Sequence, residues 1–172
     1  LAEYFDTSDA IVYHPNGKFK IVPNSLILKN IAQESQAYGG GAIMLTEKDY
    51  INLDVEEFKK NEIGRFGDWL HKEEVKNNSL WKSLAKDQTL LNDYADYIFS
   101  ESKERFFNDT AMGVYLGSCI SNNPEMRALC IKKLEYGSSL NAKLNLDDDN
   151  GKLVGIAPEA LSIQSNSNSK IK

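Results

Sequence analysis

Several kinds of residue are scarce in this chain, and each scarcity excludes a class of protein. Two cysteines in 172 residues are too few for a small scaffold held together by disulfides. Two histidines cannot form a histidine-rich zinc site, and the C-x-x-C and H-x₃₋₅-H spacings of mixed sites do not occur. No stretch approaches the roughly 20 apolar residues that cross a bilayer. We therefore expect no membrane span, no structural zinc ion and no cofactor.

Basic residues are also in deficit. The chain has 20 Lys and Arg against 25 Asp and Glu, which gives a net charge of −5. Its longest basic clusters are the pairs Lys59-Lys60 and Lys132-Lys133, whereas a domain that binds phosphates normally carries a basic face. Nucleic-acid binding is thus disfavoured. The acidic balance favours a soluble protein whose partner is another protein, one that carries basic residues.

The cellular compartment is weakly defined by the sequence. No basic-then-apolar leader opens the chain, which slightly favours a cytoplasmic protein. Secretion after removal of a signal stays open, because the chain begins with Leu1 instead of Met. Cys119 and Cys130 are expected to be buried thiols, and a disulfide between them is the alternative for a secreted protein.

Two Asn-Gly pairs predict a β-hairpin near each end of the chain. Asn16-Gly17 lies between the apolar stretches 10–13 and 19–22, and Asn150-Gly151 lies between 142–146 and 153–156. Type I′ turns need positive φ at both central residues, which Asn-Gly supplies at low cost.

The middle of the chain has a helical period. The strongest helix is predicted over 88–107, where Leu91, Tyr94, Ala95 and Ile98 recur at the spacing of one helix face. Residues 42–45 read as a buried strand, and 46–53 fit either a second hairpin strand or a helix begun by Thr46. Further helices are predicted over 24–38, 55–61, around 63–70, in a short turn from Ser79, over 110–120, and from Pro124 to about Tyr136.

These elements predict an α+β fold with a mainly helical middle. The two hairpins would join into one small antiparallel sheet, because a lone hairpin is only marginally stable in water. Residues 1–158 are expected to form a single domain. Residues 159–172, rich in Ser and Asn, are expected to be a disordered polar tail.

Three residues are candidates for catalysis. Arg65 and His71 have a spacing that resembles the loose R-x₄₋₆-H pattern of HEPN ribonucleases, which implies action on an RNA 2′-hydroxyl and phosphate. Phe66, however, replaces the polar residue usual in that family, and six residues on a helix place two side chains about 120° apart. Cys119 beside His71 is an alternative nucleophile and base, although burial in the predicted helix would raise the thiol pKa.

The acidic loop before Gly151 is a weak candidate for a metal site. Its oxygen donors would suit Ca²⁺, but an EF-hand register that uses Gly151 as its sixth position starts at Leu146 and ends at Ala157. Neither residue can be a ligand, so a solvated turn is the simpler interpretation. The donors are Asp147, Asp148, Asp149 and Asn150.

Aromatic residues give the first hypothesis for function. Trp69, Trp81, Tyr94 and Tyr97 lie in or beside the helical middle, and Tyr and Trp are preferred anchors in protein interfaces. The sequence therefore favours a non-catalytic binding or regulatory module, such as an adaptor, immunity or effector-like protein, that uses an acidic, aromatic-bearing helical face. The alternatives are a small hydrolase or ribonuclease, and a structural subunit of an assembly; oligomeric state is left open.

Overall fold

A computed structural model of the chain describes residues 4–28, 42–63, 67–132, 139–142 and 151–153. Its centre is a long antiparallel pair, β1 (Tyr4–Tyr13) and β7 (Glu125–Lys132). The other strands are β2 (Lys18–Val22), β3 (Ile43–Met44), β4 (Glu57–Lys59), β5 (Gly67–His71), β6 (Thr110–Leu116), β8 (Ser139–Ala142) and β9 (Gly151–Leu153). The helices are α1 (Glu47–Asn52), α2 (Lys72–Asn77), α3 (Ser79–Ala85) and α4 (Gln88–Phe106), with a 3₁₀ turn at Lys60–Glu62.

The described strands form one mixed sheet of nine strands. Its main path runs β4-β2-β1-β7-β8-β6-β5, while β3 adds to β7 and β9 adds to β1. The β1–β9 and β6–β8 pairs are parallel, and the other pairs are antiparallel. An α+β fold is confirmed, but the small, purely antiparallel sheet expected from two hairpins is wrong.

The N-terminal hairpin is confirmed in its position and differs in its turn. β1 and β2 pair from Ala10↔Val22 to Tyr13↔Phe19. Within the turn only Gly17 has positive φ, at +85°, and its N–H donates to the His14 carbonyl at 3.0 Å. This is a three-residue loop that ends in a left-handed glycine, so the predicted type I′ turn is wrong. Pro15 favours the type I geometry, because its fixed φ suits the first central position.

Most of the predicted C-terminal hairpin lies outside the described residues, but Gly151, which was expected in its turn, belongs to a strand. β9 pairs in parallel with β1, from Tyr4↔Gly151 to Asp6↔Leu153, and does not pair with β8. β8 instead lies between β6 and β7. Because the register joins distant parts of the chain, the local Asn150-Gly151 signal could not reveal it. Residues 143–150 and 154–156 lie outside the described residues.

Two predicted helices are strands. Residues 110–120 form β6 and a following loop, and residues from Glu125 form β7. Both strands are buried on both faces, and Ala111, Met112, Gly113 and Val114 are successive buried residues in β6. A strand covered on both sides has no polar alternation, so a continuous apolar run can be mistaken for a helix.

Of the remaining predicted elements, some are confirmed and others are wrong. The helix over 88–107 is confirmed as α4, and 46–53 form the helical alternative, α1, with a capping box between Thr46 and Asp49. The predicted helix over 55–61 is wrong, since that segment forms β4 and the 3₁₀ turn. Residues 67–71, also predicted as helical, form β5. The 24–38 helix is seen at 26–28; its remainder and the 159–172 tail lie outside the described residues.

The two faces of the sheet carry cores of different size. We call the face that bears Ile11, Phe19 and Ile21 the broad face; it packs under α2, α3 and α4. We call the face that bears Ala10, Val12 and Lys20 the narrow face; it is covered by α1. No helix in the described part of the chain is long and apolar enough to cross a membrane.

Candidate binding site

Two side-chain caps fix the helices above the broad face. The Asn78 Oδ1 atom accepts hydrogen bonds from the backbone N–H groups of Leu80 and Trp81, which begins α3. The Asp87 Oδ1 atom accepts from the N–H groups of Thr89 and Leu90, which begins α4. Such caps satisfy donors that a helix cannot satisfy internally. They set where α3 and α4 diverge from the sheet.

A cavity of about 270 Å³ lies between these helices and the sheet. α3 and α4 form one wall, and β7 and β8 form the other. The wall is almost entirely apolar. Its residues are Asp9, Trp81, Leu84, Ala85, Leu90, Leu91, Tyr94, Leu129, Ile131 and Leu140.

Trp81 is the most firmly positioned aromatic residue of the wall. It is buried, its indole Nε1–H donates to the Met112 carbonyl at 3.3 Å, and its ring lies 6.3 Å from that of Tyr94. Met112 has a φ of 57°, uncommon for a long side chain within a strand. The indole therefore satisfies a carbonyl at a strained position in β6, and the bond keeps the ring against the cavity.

Asp9 brings a carboxylate to this apolar wall. It lies where the β1–β7 register shifts between Asp6 and Ala10, so an irregularity in β1 directs it out of the regular pattern. Its Oδ1 atom accepts a hydrogen bond from the Asn24 N–H at 2.9 Å. Among the described residues that form the wall, Asp9 is the only one with a charged side chain.

The outer surface of α4 continues from the cavity. Leu90 is 59% exposed and Tyr97 is 57% exposed, one helical repeat of seven residues apart. Asp96 lies beside Tyr97 and is held by the Nζ atoms of Lys72 and Lys76, each at 2.9 Å. These hydrogen bonds lower the pKa of Asp96, that from Lys76 contributing most, and raise the pKa of Lys76. The surface is thus apolar in its centre and charged at its edge.

Comparison with known proteins gives a likeness in structure. No family model and no curated protein matches the sequence. A solved structure described as "Accommodation of massive sequence variation in Nanoarchaeota by the C-type lectin fold" is similar over 82% of this chain and 71% of that chain, with a TM-score of 0.53 and 12% identity. The fold is C-type lectin-like. At this identity the likeness concerns the fold only.

Within this lectin-like fold the four predicted binding aromatics do not form one surface. Trp81 and Tyr94 line the cavity, and Tyr97 lies on the adjoining face of α4. Trp69 is in β5, paired with Met112 in β6. Leu70, its neighbour, is part of the broad-face core, so the alternation of a strand directs Trp69 to the other side of the sheet.

The candidate catalytic residues are not assembled by the fold. His71 ends β5 opposite Thr110, whereas Cys119 follows the far end of β6. β6 is about 20 Å long, and three residues can return at most about 10 Å, so His71 and Cys119 stay well apart. Arg65 lies outside the described residues. The R-x₄₋₆-H interpretation assumed a helix that contains both residues. His71 is instead the last residue of a strand and is exposed at the junction of β5 and α2.

The other histidine is committed to structural contacts. The Nε2 atom of His14 lies 2.8 Å from Glu47 Oε2, and its Nδ1 atom accepts from the Asn16 N–H at 3.1 Å. Its ring is 4.6 Å from that of Tyr50. These contacts join the hairpin turn to α1.

The two cysteines lie in different surroundings. Cys119 is in the loop after β6, not in a helix, and its Sγ atom donates to the Asn123 carbonyl at 3.1 Å. Cys130 is buried in β7, and the two are not joined in a disulfide. Within the described ranges no three His, Cys, Asp or Glu side chains converge on a metal site. Asp147, Asp148, Asp149 and Asn150 lie outside those ranges.

Four of the ten residues of the cavity wall were missed by sequence reasoning. Leu129, Ile131 and Leu140 come from β7 and β8, which were not predicted as strands, and Asp9 comes from an irregular part of β1. The signal that could have found them was the apolar alternation of Leu129 and Ile131 in β7. This alternation is not distinctive, because the apolar residues Ala128 and Cys130 between and beside them give the segment an equally good helical pattern.

Proposed function

We propose that this protein is a non-catalytic binding module that recognises another protein through the cavity and the adjoining face of α4. The observation that carries the proposal is a preformed, apolar cavity, walled by Trp81 and Tyr94, that opens beside the exposed side chains of Leu90 and Tyr97. Interface anchors are typically aromatic and apolar side chains that fill such pockets.

The size of the cavity favours a side chain over a larger ligand. Sites for drug-sized molecules usually measure about 300–1,000 Å³, and this cavity, at about 270 Å³, is below that range. An apolar cavity of about 150 Å³ already accepts benzene. The space therefore suits one aromatic or large aliphatic side chain, with the surrounding face of α4 contacting the chain on either side of it.

The likeness in fold agrees with a binding role. The similar structure is described as one in which the C-type lectin fold accommodates massive sequence variation. A fold that keeps its core while its surface varies is suited to presenting different binding surfaces. The apolar core under α2–α4 in this chain would play the part of the constant scaffold.

The test is selection of peptides from a random displayed library on the folded protein. We expect wild-type protein to enrich peptides with one large apolar residue in a common context. Ala85→Phe, which places a ring in the cavity wall, should weaken their binding at least about tenfold, as expected for loss of a main anchor. Thr89→Phe is the matched control, because Thr89 is exposed on α4 and is not part of the wall.

Two results would count against the proposal. One is a selection that yields no binder to the wild-type protein. The other is a set of binders that retain their affinity for Ala85→Phe while circular dichroism shows that this variant is folded.

A further inference from the structure

The turn between α4 and β6 carries two exposed phenyl rings. Phe107 is the C-terminal cap of α4 and has a φ of 53°, in the left-handed region where glycine or asparagine is normally found. It is 92% exposed, and the preceding Phe106 is 43% exposed. The fold gains little from these rings, since both contact water and one of them strains the backbone. Backbone strain of this kind clusters at functional sites.

A glycosylation sequon follows the two rings directly. Asn108, Asp109 and Thr110 form the triplet Asn-x-Thr, with a middle residue other than proline, which is the acceptor pattern for N-linked glycans. Such triplets are frequent in sequences, so their position in the fold has to decide between them. This one lies in the turn that leads into β6, and Asp109 is exposed. Glycosylated asparagines occupy surface loops of this kind.

The Asn108 side chain is held beside Thr110. Its Oδ1 atom accepts hydrogen bonds from the Thr110 N–H at 3.2 Å and from the Thr110 hydroxyl at 3.0 Å. This Asx turn keeps the two essential residues of the sequon together. It uses the amide oxygen and not the amide nitrogen, and Nδ2 is the atom to which a sugar is attached.

A second sequon in the chain gives a contrast. Asn77, Asn78 and Ser79 match the pattern Asn-x-Ser. The Nδ2 atom of Asn77, however, donates to the Glu73 carbonyl at 2.9 Å in the last turn of α2. Asn78 is fully buried, and its side chain caps α3. This triplet therefore forms a packed corner between two helices, where a sugar would compete with the hydrogen bond of its acceptor nitrogen.

We propose that Asn108 is the acceptor of an N-linked glycan, whose first sugar packs on the phenyl rings of the preceding turn. The donor is a lipid-linked pyrophosphate oligosaccharide, used by an oligosaccharyltransferase. A bond forms between the Asn108 Nδ2 atom and C1 of the first sugar, and the C1–O bond to pyrophosphate breaks. The amide loses one proton to the enzyme, and the lipid pyrophosphate leaves. The inference requires that the chain is exported, and it goes beyond the proposed function without depending on it.

Packing of the sugar would offset part of the cost of the exposed rings. The faces of aromatic rings carry partial negative charge, which attracts the C–H groups on the apolar face of a sugar. Phe106 and Phe107 immediately precede the acceptor, so they lie within reach of the first sugar. The glycan would thus give a purpose to rings that the fold itself does not bury.

A glycan at Asn108 would leave the cavity accessible. Leu90 and Leu91, which line the cavity, lie at the start of α4, whereas Asn108 follows its end. α4 has 19 residues and is therefore about 28 Å long. The glycan and the binding site would then occupy opposite ends of the same helix.

Expression of the full chain behind a secretion signal in a eukaryotic cell line tests the inference. Peptide N-glycosidase F converts a glycosylated asparagine to aspartate, so peptide mass mapping of the secreted and the cell-retained protein locates the sugar. We expect a glycan at Asn108 that is lost in Asn108→Asp and in Thr110→Val and retained in the control, Asn77→Gln. Asn108→Asp keeps an oxygen acceptor in the turn, and Thr110→Val keeps a β-branched residue in β6, so both variants should fold.

Thermal unfolding tests the packing of the sugar on the rings. Asn108→Asp has the same sequence as the enzymatically deglycosylated protein, which makes it the matched reference. The glycosylated wild type should have a higher Tm than this reference, and the difference should be smaller when both carry Phe107→Gly. A difference of the same size with and without the ring would overturn the packing.

Three results would overturn the acceptor itself: no glycan in either protein fraction, a glycan that persists in Asn108→Asp, or a glycan on Asn77 instead of Asn108. None of them bears on the cavity, because peptide selection uses unmodified protein, so the proposed function would stand. A failed selection would equally leave the glycan acceptor in place.

Discussion

The two faces of the sheet are stabilised in different ways. On the broad face, a continuous apolar core joins the sheet to α2, α3 and α4, with residues such as Ile63, Leu70 and Ile98 fully or almost fully buried. On the narrow face, a small cluster that includes Val12, Leu45 and Met126 lies under α1. The broad face thus depends mainly on the area removed from water, which is the dominant favourable term in folding.

On the narrow face, polar contacts hold α1 to the sheet. The Nζ atom of Lys20 donates to the carbonyls of Tyr50 at 3.0 Å and Leu53 at 2.8 Å, which satisfies the C-terminal end of α1. The Tyr50 hydroxyl donates to Glu57 at 3.0 Å, and burial, followed by this carboxylate, raises the pKa of Tyr50. Glu57 in turn accepts from Lys18 at 2.6 Å. The broad face has a buried ion pair of its own, in which Arg127 lies 3.2 Å from Glu125.

The difference shows why the proposed site is on the broad face. A cavity can remain open only where a large, rigid core holds its walls apart, and α3, α4 and the sheet provide that core. The narrow face has a smaller core, and its Lys20 ammonium is directed inward, toward α1. Changes on the two faces should therefore differ in size and in their dependence on pH.

The largest contrast is expected from one chemical change made on each face. Leu91→Ala should cost about 4–5 kcal/mol of unfolding free energy, because Leu91 is almost fully buried and its loss enlarges the cavity. Leu45→Ala should cost about 2–3 kcal/mol, because Leu45 belongs to the smaller cluster. Urea unfolding measures both losses, provided that the m-value is the same for the variants and the wild type. Equal costs would remove the distinction between the faces.

The next effect concerns the ammonium beneath α1. Lys20→Met keeps the aliphatic stem and leaves two carbonyls without their donor, so we expect a loss of about 1–3 kcal/mol. Lys18→Met is the control, because its pair with Glu57 is partly exposed and should contribute less than about 1 kcal/mol. A Lys20→Met variant as stable as Lys18→Met would show that apolar contacts alone hold α1.

A gain in stability is expected at the exposed end of α4. Phe107→Gly should stabilise the monomer by about 0.5–1 kcal/mol, because glycine adopts the left-handed cap without the Cβ penalty. Thermal unfolding at a concentration where both forms are monomeric measures it. Asn24→Gly is the comparison, because Asn24 also has positive φ. Asparagine tolerates this conformation better than phenylalanine does, so the gain in stability at position 24 should be smaller. A loss at Phe107 would mean that the ring contributes to the fold.

The smallest effect is on acid stability. Hydrogen bonds to Lys76 and then Lys72 lower the pKa of Asp96, and the bond to Lys18 is the main cause of the lowered pKa of Glu57. A carboxyl whose pKa is lower in the folded state than in the unfolded state stabilises the folded state at pH values above its ordinary pKa. That stabilisation is lost as pH falls through the folded value. Asp96→Asn should narrow the difference in Tm between pH 7 and pH 3; an unchanged difference would mean that these pairs contribute nothing.

Sequence reasoning succeeded where structure is determined locally. Asn16-Gly17 located the first hairpin, and the apolar period of Leu91, Ala95 and Ile98 located α4, because turns and amphipathic helices depend on neighbouring residues. It failed at β6 and β7, whose conformation depends on strands distant in sequence. Val114, for example, pairs with Gly67 and Leu140, and no local pattern indicates either partner.

The site was predictable only in part for the same reason. Trp81, Tyr94 and Tyr97 could be singled out as aromatic residues of a helical middle. Which of them line the cavity and which are exposed depends on where the sheet lies beneath the helices, and the sequence does not show that. The exposed Phe107 was read as the end of a helix, and its left-handed backbone cannot be seen in the sequence.

The most direct measurement uses Trp81 as a probe inside the cavity. Trp69→Phe leaves Trp81 as the single tryptophan, since the chain has two. Titration with N-acetyl-phenylalaninamide, an analogue of the anchor side chain, should give a saturable change in Trp81 fluorescence that Ala85→Phe abolishes and Thr89→Phe preserves. A linear, unsaturable response, or an identical saturable one in Ala85→Phe, would contradict a binding site between α3–α4 and the sheet.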